Sequence, residues 1–304
     1  MLPLDLIPVP SALGGPDSGT SHGPEALRQA GLLTTLQGCG LDATWQAAVA
    51  PATLSNPEDT PQRWQALTDL CRQLADRVAA SLCRGRKPLV IGGDHAIALG
   101  TWRGLAAFQA DHHPSRPFGL LWLDAHLDAH TPEDSASANP HGMPVALLLG
   151  EGSPALAQPI LSPAHTCLVG ARSWELPERV RLQRFGVHVY DQQDIAQRGL
   201  AVILQEALAI ARKGTSGFGL SIDLDVFATS DCPAVNSPAP GGTDADQWLA
   251  ALQGIASHDD CLAVEIAECD GLRDQQGAPP GQTSALACRL VESLFKPAHP
   301  ATIR

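Results

Sequence analysis

Seven short runs of largely apolar residues punctuate the chain, at 4–9, 87–91, 118–123, 166–170, 187–190, 218–222 and 261–266. Most are close to continuous in apolar residues rather than alternating with polar ones. A strand covered on both faces reads this way, whereas a strand with one wet face alternates. Between the runs the period changes. Trp64, Leu67, Cys71, Leu74 and Val78 recur at steps of three and four residues, which places them on one face of a helix that Pro61 opens and Gly85 closes. Pro24 suits the first turn of a helix that continues through 25–36 to Gly38, and 200–212, 245–255 and 283–295 carry the same periodicity. Strands alternating with helices predict an α/β fold with a parallel sheet covered on both faces. In such sheets ligands sit beyond the carboxyl ends of the strands. The residues just after each apolar run are therefore the ones to search for chemistry.

Composition narrows the class. The chain has 304 residues, 44% of them hydrophobic, with no internal repeat and no low-complexity linker, so 1–304 is expected to form a single domain. Asp and Glu outnumber Lys and Arg by 32 to 20, a net charge of −12. That balance argues against nucleic acid or an anionic membrane as partner and leans towards a cationic small molecule. The eight cysteines form no C-x-x-C pair and no zinc-finger spacing with histidine, as expected of reduced thiols in the cytoplasm. The N-terminus lacks the basic start and apolar run of a signal peptide, and no stretch of about 18 apolar residues offers a membrane span. The proline-rich tail at 296–300 suits an arm or a disordered end.

Three run ends carry related chemistry: Gly92-Gly93-Asp94-His95, Asp124-Ala125-His126-Leu127-Asp128 and Ser221-Ile222-Asp223-Leu224-Asp225. In extended chain, residues two apart share a side, so Asp124, His126 and Asp128 converge, as do Asp223 and Asp225. Four carboxylates at one sheet edge raise one another's pKa, and cations relieve that repulsion. Oxygen donors with some imidazole suit Mn²⁺, with Ni²⁺, Co²⁺ or Zn²⁺ as substitutes. Six side chains that share ligands suffice for two ions roughly 3.5–4 Å apart. Taken singly, an Asp-x-Asp pair is as readily a cap or loop ion pair, and Gly-Gly-Asp-His a tight turn. Their joint occurrence at strand ends is what argues for metal.

With His141-Gly142-Met143-Pro144, Glu265-Ile266-Ala267-Glu268 and the opening stretch 19–28, these blocks come in one order across nearly the whole chain. Together they resemble the ureohydrolase superfamily of arginases, agmatinases and formiminoglutamases, and within it the arginases most. The resemblance implies a three-layer α/β/α domain with a mostly parallel eight-stranded sheet, two Mn²⁺ ions, and a homo-oligomer, trimer or hexamer. It implies that His95, Asp124, Asp128 and Asp225 hold one ion, and His126, Asp124, Asp223 and Asp225 the other. The reaction it implies is hydrolysis of a guanidino or amidino C–N bond. That carbon is resonance-stabilised and a poor electrophile, so water needs activation, which two ions supply by lowering its pKa. His141 matches the family's proton shuttle, for which a group titrating near neutrality is suited. Glu268 matches the acid that pairs with the guanidinium through charge-assisted bonds. Asp128 belongs to the catalytic set as a ligand, and Glu265 falls where an inner partner would sit.

Around the substrate the pattern is mixed. Ser137 and Asn139 match the arginase loop that binds an amino acid carboxylate, and Glu175 falls where an acid reads the α-amino group. His130 stands where arginases have Asn, and Ala228 and Thr229 stand where arginases and agmatinases have Asp-Pro. The stretch 232–242 looks partly like a formiminoglutamase. The expected order of substrates is L-arginine or a close guanidino amino acid, then N-formimino-L-glutamate, then agmatine and shorter guanidino acids. An acetylpolyamine amidohydrolase would need a Tyr near the carbonyl, and Tyr190, the one Tyr, falls in a predicted strand. A non-catalytic descendant would have lost ligands, yet all six are present.

Overall fold

A computed structural model describes residues 2–56, 59–152 and 155–296, so the tail beyond 296 lies outside the described residues. Eight strands, β1 (Leu4–Val9), β2 (Ala43–Trp45), β3 (Lys87–Gly92), β4 (Gly119–Leu123), β5 (Thr166–Ala171), β6 (His188–Asp191), β7 (Phe218–Asp223) and β8 (Cys261–Ala267), form one sheet. Their order is β2-β1-β3-β8-β7-β4-β5-β6, and every neighbouring pair is parallel. Alternate side chains enter two apolar layers. Leu89, Ile91, Leu121, Leu123, Leu220 and Ile222 belong to one, and Val90, Leu120, Trp122 and Ala263 to the other. Both faces are dry, which is why the runs lack polar alternation.

After β3 the chain skips two places to β4, and β7 and β8 later fill the gap. The strand order reverses there, and the crevice beyond the carboxyl ends of these four central strands is the place such sheets use for ligands. Among the described residues, no helix is long and apolar enough to cross a membrane.

Several elements differ from the sequence pattern. The helix expected over 25–36 is two, Gly23–Gln29 and Leu32–Gly38, separated at Gly31 with φ +88°. The helix expected over 245–255 stops as Ala245–Ala251, and a short 3-10 turn, Ile255–Ser257, follows the left-handed Gly254. Helix Ala98–His112 was not foreseen at all, because Gly100 and Gly104 interrupt its pattern. Those glycines let it lie against helix Thr60–Cys83: a Cβ at Gly104 would sit 2.5 Å from the Ala75 carbonyl oxygen, and one at Gly100 2.8 Å from that of Cys71.

All eight cysteines are free, and only Cys39 and Cys83 are exposed. Burial pushes the Cys71 thiol up to about 12 and that of Cys261 up to about 11. Thiolate is the reactive form, so these thiols are inert in the folded protein. Ellman titration of the native protein should therefore show two fast thiols, and all eight after denaturation. Rapid modification of a third native thiol would contradict this packing.

Candidate active site

Beyond β3, Asp94 accepts hydrogen bonds from the amides of Ala96 (3.0 Å) and Gly14 (3.0 Å), capping a 3-10 turn that swings His95 over the sheet end. His95 Nδ1 then lies 3.2 Å from Asp124 Oδ2, 3.1 Å from Asp128 Oδ2 and 3.2 Å from Asp223 Oδ2. His126 Nδ1 lies 2.9 Å from Asp225 Oδ2 and 3.5 Å from Asp124 Oδ1. The structure thus gathers all six side chains whose types and spacing suggested metal. His95, Asp124 and Asp223 form one group of donor atoms within 4.8 Å of one another, and Asp124, His126 and Asp225 form another, with Asp124 common to both.

The electrostatics ask for cations. Burial, then the charges of Asp225 and Asp124, push the Asp223 carboxyl well above the carboxylate range. Burial and the Asp124 charge hold Asp128 up at about 7. Burial also works against charge on His95 and His126, but the surrounding carboxylates outweigh it and raise both. Asp124 moves the other way: burial is outweighed by its bonds to the two imidazoles, so its carboxyl is lowered. His95 Nδ1 and Asp128 Oδ2 are buried without a hydrogen-bond partner of good geometry. Mixed oxygen and imidazole donors crowded this closely, two of them without a partner, fit a pair of divalent ions.

Neighbours fix the ring of His95. It stacks on Trp122 with centroids 4.1 Å apart, and its Nε2 lies 3.0 Å from Ser221 Oγ. The Ser221 hydroxyl donates to Glu265 Oε1 at 2.8 Å, and the Thr101 hydroxyl donates to Glu265 Oε2. Such outer partners set the orientation of a ligand imidazole. Backbone strain gathers here too: Asp128 has φ +48° and Glu268 φ +67°, left-handed values that side chains rarely adopt.

Glu268 follows β8. Its amide donates to the Gly93 carbonyl (2.8 Å), and its Oε1 accepts from the His95 amide (2.8 Å) and lies 3.0 Å from His141 Nδ1. Its Oε2 is buried, has no partner, and belongs to a residue lining a cavity of about 170 Å³. His126, Asp128, Asp223, Asp225 and His141 line the same cavity. Burial disfavours charge on His141, but Glu268, helped by Asp128 and Asp94, holds its imidazole up at about 9.

The outer wall contains His130, Trp174 and Glu175, together with Ser173, Glu178 and Ser237, which sequence reasoning missed. Glu178 Oε2 accepts from the Glu175 amide at 2.8 Å, an acid three residues into a helix whose capping spacing was visible in the sequence. No such signal marked Ser173 or Ser237. His130 bridges acids, with Nδ1 3.1 Å from Asp134 Oδ1 and Nε2 3.1 Å from Glu178 Oε2. Ser137 and Asn139 do not line the cavity: Ser137 Oγ accepts from the Asn139 amide (3.3 Å), and Asn139 Oδ1 accepts from Arg63 (3.4 Å). Tyr190 sits in β6 and does not line it either.

Comparison with known proteins agrees with this geometry. The Arginase family model matches residues 3–296. An arginase of Bacillus caldovelox is 33% identical over 97% of this chain and 98% of its own length, and one of Brevibacillus brevis is 31% identical over 96% and 97%. The native structure of Bacillus caldovelox arginase superposes with a TM-score of 0.89 at 33% identity, covering 98% of this chain and 99% of that one. A formimidoylglutamase of Bacillus subtilis shares the fold, with a TM-score of 0.76 at 23% identity over 97% of this chain and 87% of its own. A family model that spans residues 3–296 and relatives matched over nearly their whole length place the chain in the arginase family.

Proposed function

We propose that the protein hydrolyses L-arginine, or a close guanidino amino acid, to urea and ornithine or the corresponding amine, with two Mn²⁺ ions as cofactors. The observation that carries this reading is Glu268 Oε2, buried without a partner beside the metal-type cluster in a residue that lines the cavity, where a planar cation would satisfy it. In this reading His95, Asp124, Asp128 and Asp223 would hold one ion, and His126, Asp124 and Asp225 the other; the distances favour this sharing over the pairing of Asp225 with His95 that the resemblance implied. When bound, the ions would lower the pKa of a water and so supply the nucleophile. Glu268 Oε2 accepts guanidinium N–H groups and sets the plane of the substrate, while Oε1 stays committed to His95 and His141. With Nδ1 engaged by Glu268, His141 has Nε2 left to pass a proton to the departing amine. Its imidazole, held up at about 9, is an acid at neutral pH, as that step requires. His130 and Glu175, which line the cavity, take the amino acid end of the substrate; Ser137 and Asn139, which do not line it, have no part in this reading. Localisation in the cytoplasm and assembly as a trimer or hexamer belong to the same reading through family resemblance.

A second reading, N-formimino-L-glutamate to formamide and glutamate, draws support from Ser237, which comes from the stretch resembling formiminoglutamases and lines the cavity. Product release measured after Mn²⁺ loading separates the two, across L-arginine, agmatine, 3-guanidinopropionate and N-formimino-L-glutamate. L-Arginine should lead in kcat/KM by about tenfold or more. Turnover of the formimino compound alone would favour the second reading, and no turnover of any compound would sink both.

A further inference from the structure

Arg172 lies immediately beyond β5, outside the ligand set and outside the cavity lining. Its main chain and side chain hold two different ligand segments. The amides of Arg172 and Ser173 both donate to the Ala125 carbonyl, at 2.8 and 3.0 Å, and the Asp124 amide donates to Val169 at 3.1 Å. This wrap depends on Gly170, with φ +109°, where a Cβ would stand 2.7 Å from Val226 Cγ2 and 3.0 Å from the Asp124 carbonyl oxygen. The β5–β6 register shifts at this point, which turns the next residues across the top of the sheet. The Arg172 guanidinium then spans the ends of two further segments. Nη2 donates to the carbonyls of Asp225 (2.6 Å), Phe227 (3.0 Å) and Ala239 (3.1 Å), Nη1 to Val226 (3.1 Å), and Nε to Pro240 (3.2 Å) and Ala239 (3.3 Å).

Every one of those acceptors is a main-chain carbonyl. The guanidinium therefore caps the 3-10 turn Leu224–Val226, which carries Asp225, and ties it to the loop at Ala239 and Pro240. The Ala125 amide completes the link by donating to Asp225 Oδ1 at 3.0 Å. A planar fork with five N–H donors can fan across five carbonyls, whereas an ammonium with three donors on a flexible stem cannot.

We propose that Arg172 is the positioning residue of the metal centre, fixing the distance between Asp124 and Asp225 by holding one segment with its main chain and the other with its guanidinium. It acts on the ligands and touches neither the substrate nor the reacting atoms. The inference rests on the two-ion reading of the site, and the experiment tests the two separately.

Calorimetric titration of chelator-treated protein with MnCl₂ comes first: the wild type should bind two ions per chain, and a wild type that binds none overturns the two-ion reading and this inference with it. Given two ions, Arg172→Lys should keep the metal-free circular dichroism spectrum yet weaken at least one Mn²⁺ by about 10- to 100-fold. Its electron paramagnetic resonance spectrum should lose the exchange coupling of a close Mn²⁺ pair. In Arg172→Ala, millimolar guanidinium chloride should restore part of the lost affinity. Wild-type affinity and coupling in Arg172→Lys would overturn the positioning role alone. Failure of Arg172→Lys to fold without metal would do the same, by making the residue a general support of the fold.

Discussion

Asp223→Asn is expected to shift the melting temperature in opposite directions, upwards in chelator and downwards in Mn²⁺, with turnover lost by at least about a thousandfold. The Asp223 carboxyl is 3% exposed, and burial followed by the charges of Asp225 and Asp124 holds it well above the carboxylate range. A carboxyl raised on folding binds its proton more tightly in the native state. The linkage sign is then fixed: no penalty exists below the unfolded pKa of about 3.9, and the penalty grows as pH rises towards the folded value. Asparagine carries no such penalty and keeps an oxygen for the Asp225 amide, which now donates to Asp223 Oδ1 at 2.8 Å. In chelator, the advantage of the variant should therefore widen between pH 4 and pH 8. With Mn²⁺ the sign reverses, because ligand binding stabilises only the native state and the variant binds more weakly. Differential scanning fluorimetry in EDTA and in MnCl₂, at several pH values, reads both signs. A variant that melts lower in EDTA would mean that the carboxylate serves the metal-free fold rather than the ions.

Glu268→Gln should be the most damaging change among the residues that hold no ion in this reading. Gln can still accept from the His95 amide, but one terminal position becomes an NH₂ group. In the place of Oε2, which now has no partner, that group would meet guanidinium N–H as donor against donor. Losing one partner of a desolvated, hydrogen-bonded charge pair costs about 2–5 kcal/mol, so kcat/KM for L-arginine should fall by roughly 30- to several-thousandfold. Mn²⁺ stoichiometry, measured by plasma mass spectrometry, should stay at the wild-type value. Glu268 is also the main charge holding the His141 imidazole up at about 9, so the alkaline limb of the pH–rate profile should move to lower pH. A change below tenfold with an unmoved profile would reduce Glu268 to a support for the His95 turn.

The legible and illegible parts of the molecule divide along physical lines. The apolar runs were readable because both faces of the sheet are dry, and the candidate metal cluster because acids and imidazoles crowd its carboxyl edge. Strand β2 was not readable: it has three residues, sits at the edge, and exposes Thr44, so its hydrophobic signal is one alanine and one half-buried tryptophan. Helix Ala98–His112 was hidden by Gly100 and Gly104, whose value lies in the close approach of another helix and not in local propensity. Arg172 gave no sign because its partners are carbonyls more than fifty residues away, 53 to 68 positions along the chain, and side-chain identity does not encode where a carbonyl points. Ser237 escaped for the same reason, since its approach to the cavity depends on how a distant loop folds back.

The strand order has a consequence for how the molecule comes into being. Strands β7 and β8 occupy the middle of the sheet but are synthesised after both flanks. A nascent chain that has emerged only as far as Arg212 contains the strands of β2-β1-β3 and of β4-β5-β6 but not the two that lie between them, so any native pairing it makes leaves an inner edge of each group without its neighbour. Unpaired edges of this kind invite pairing with other chains, and closing them requires contacts distant in sequence, which form slowly. Insertion of the last two strands seals both edges at once and brings Asp223, Asp225 and Glu268 to His95 and Asp124, so the reaction centre is born in the same event that completes the sheet.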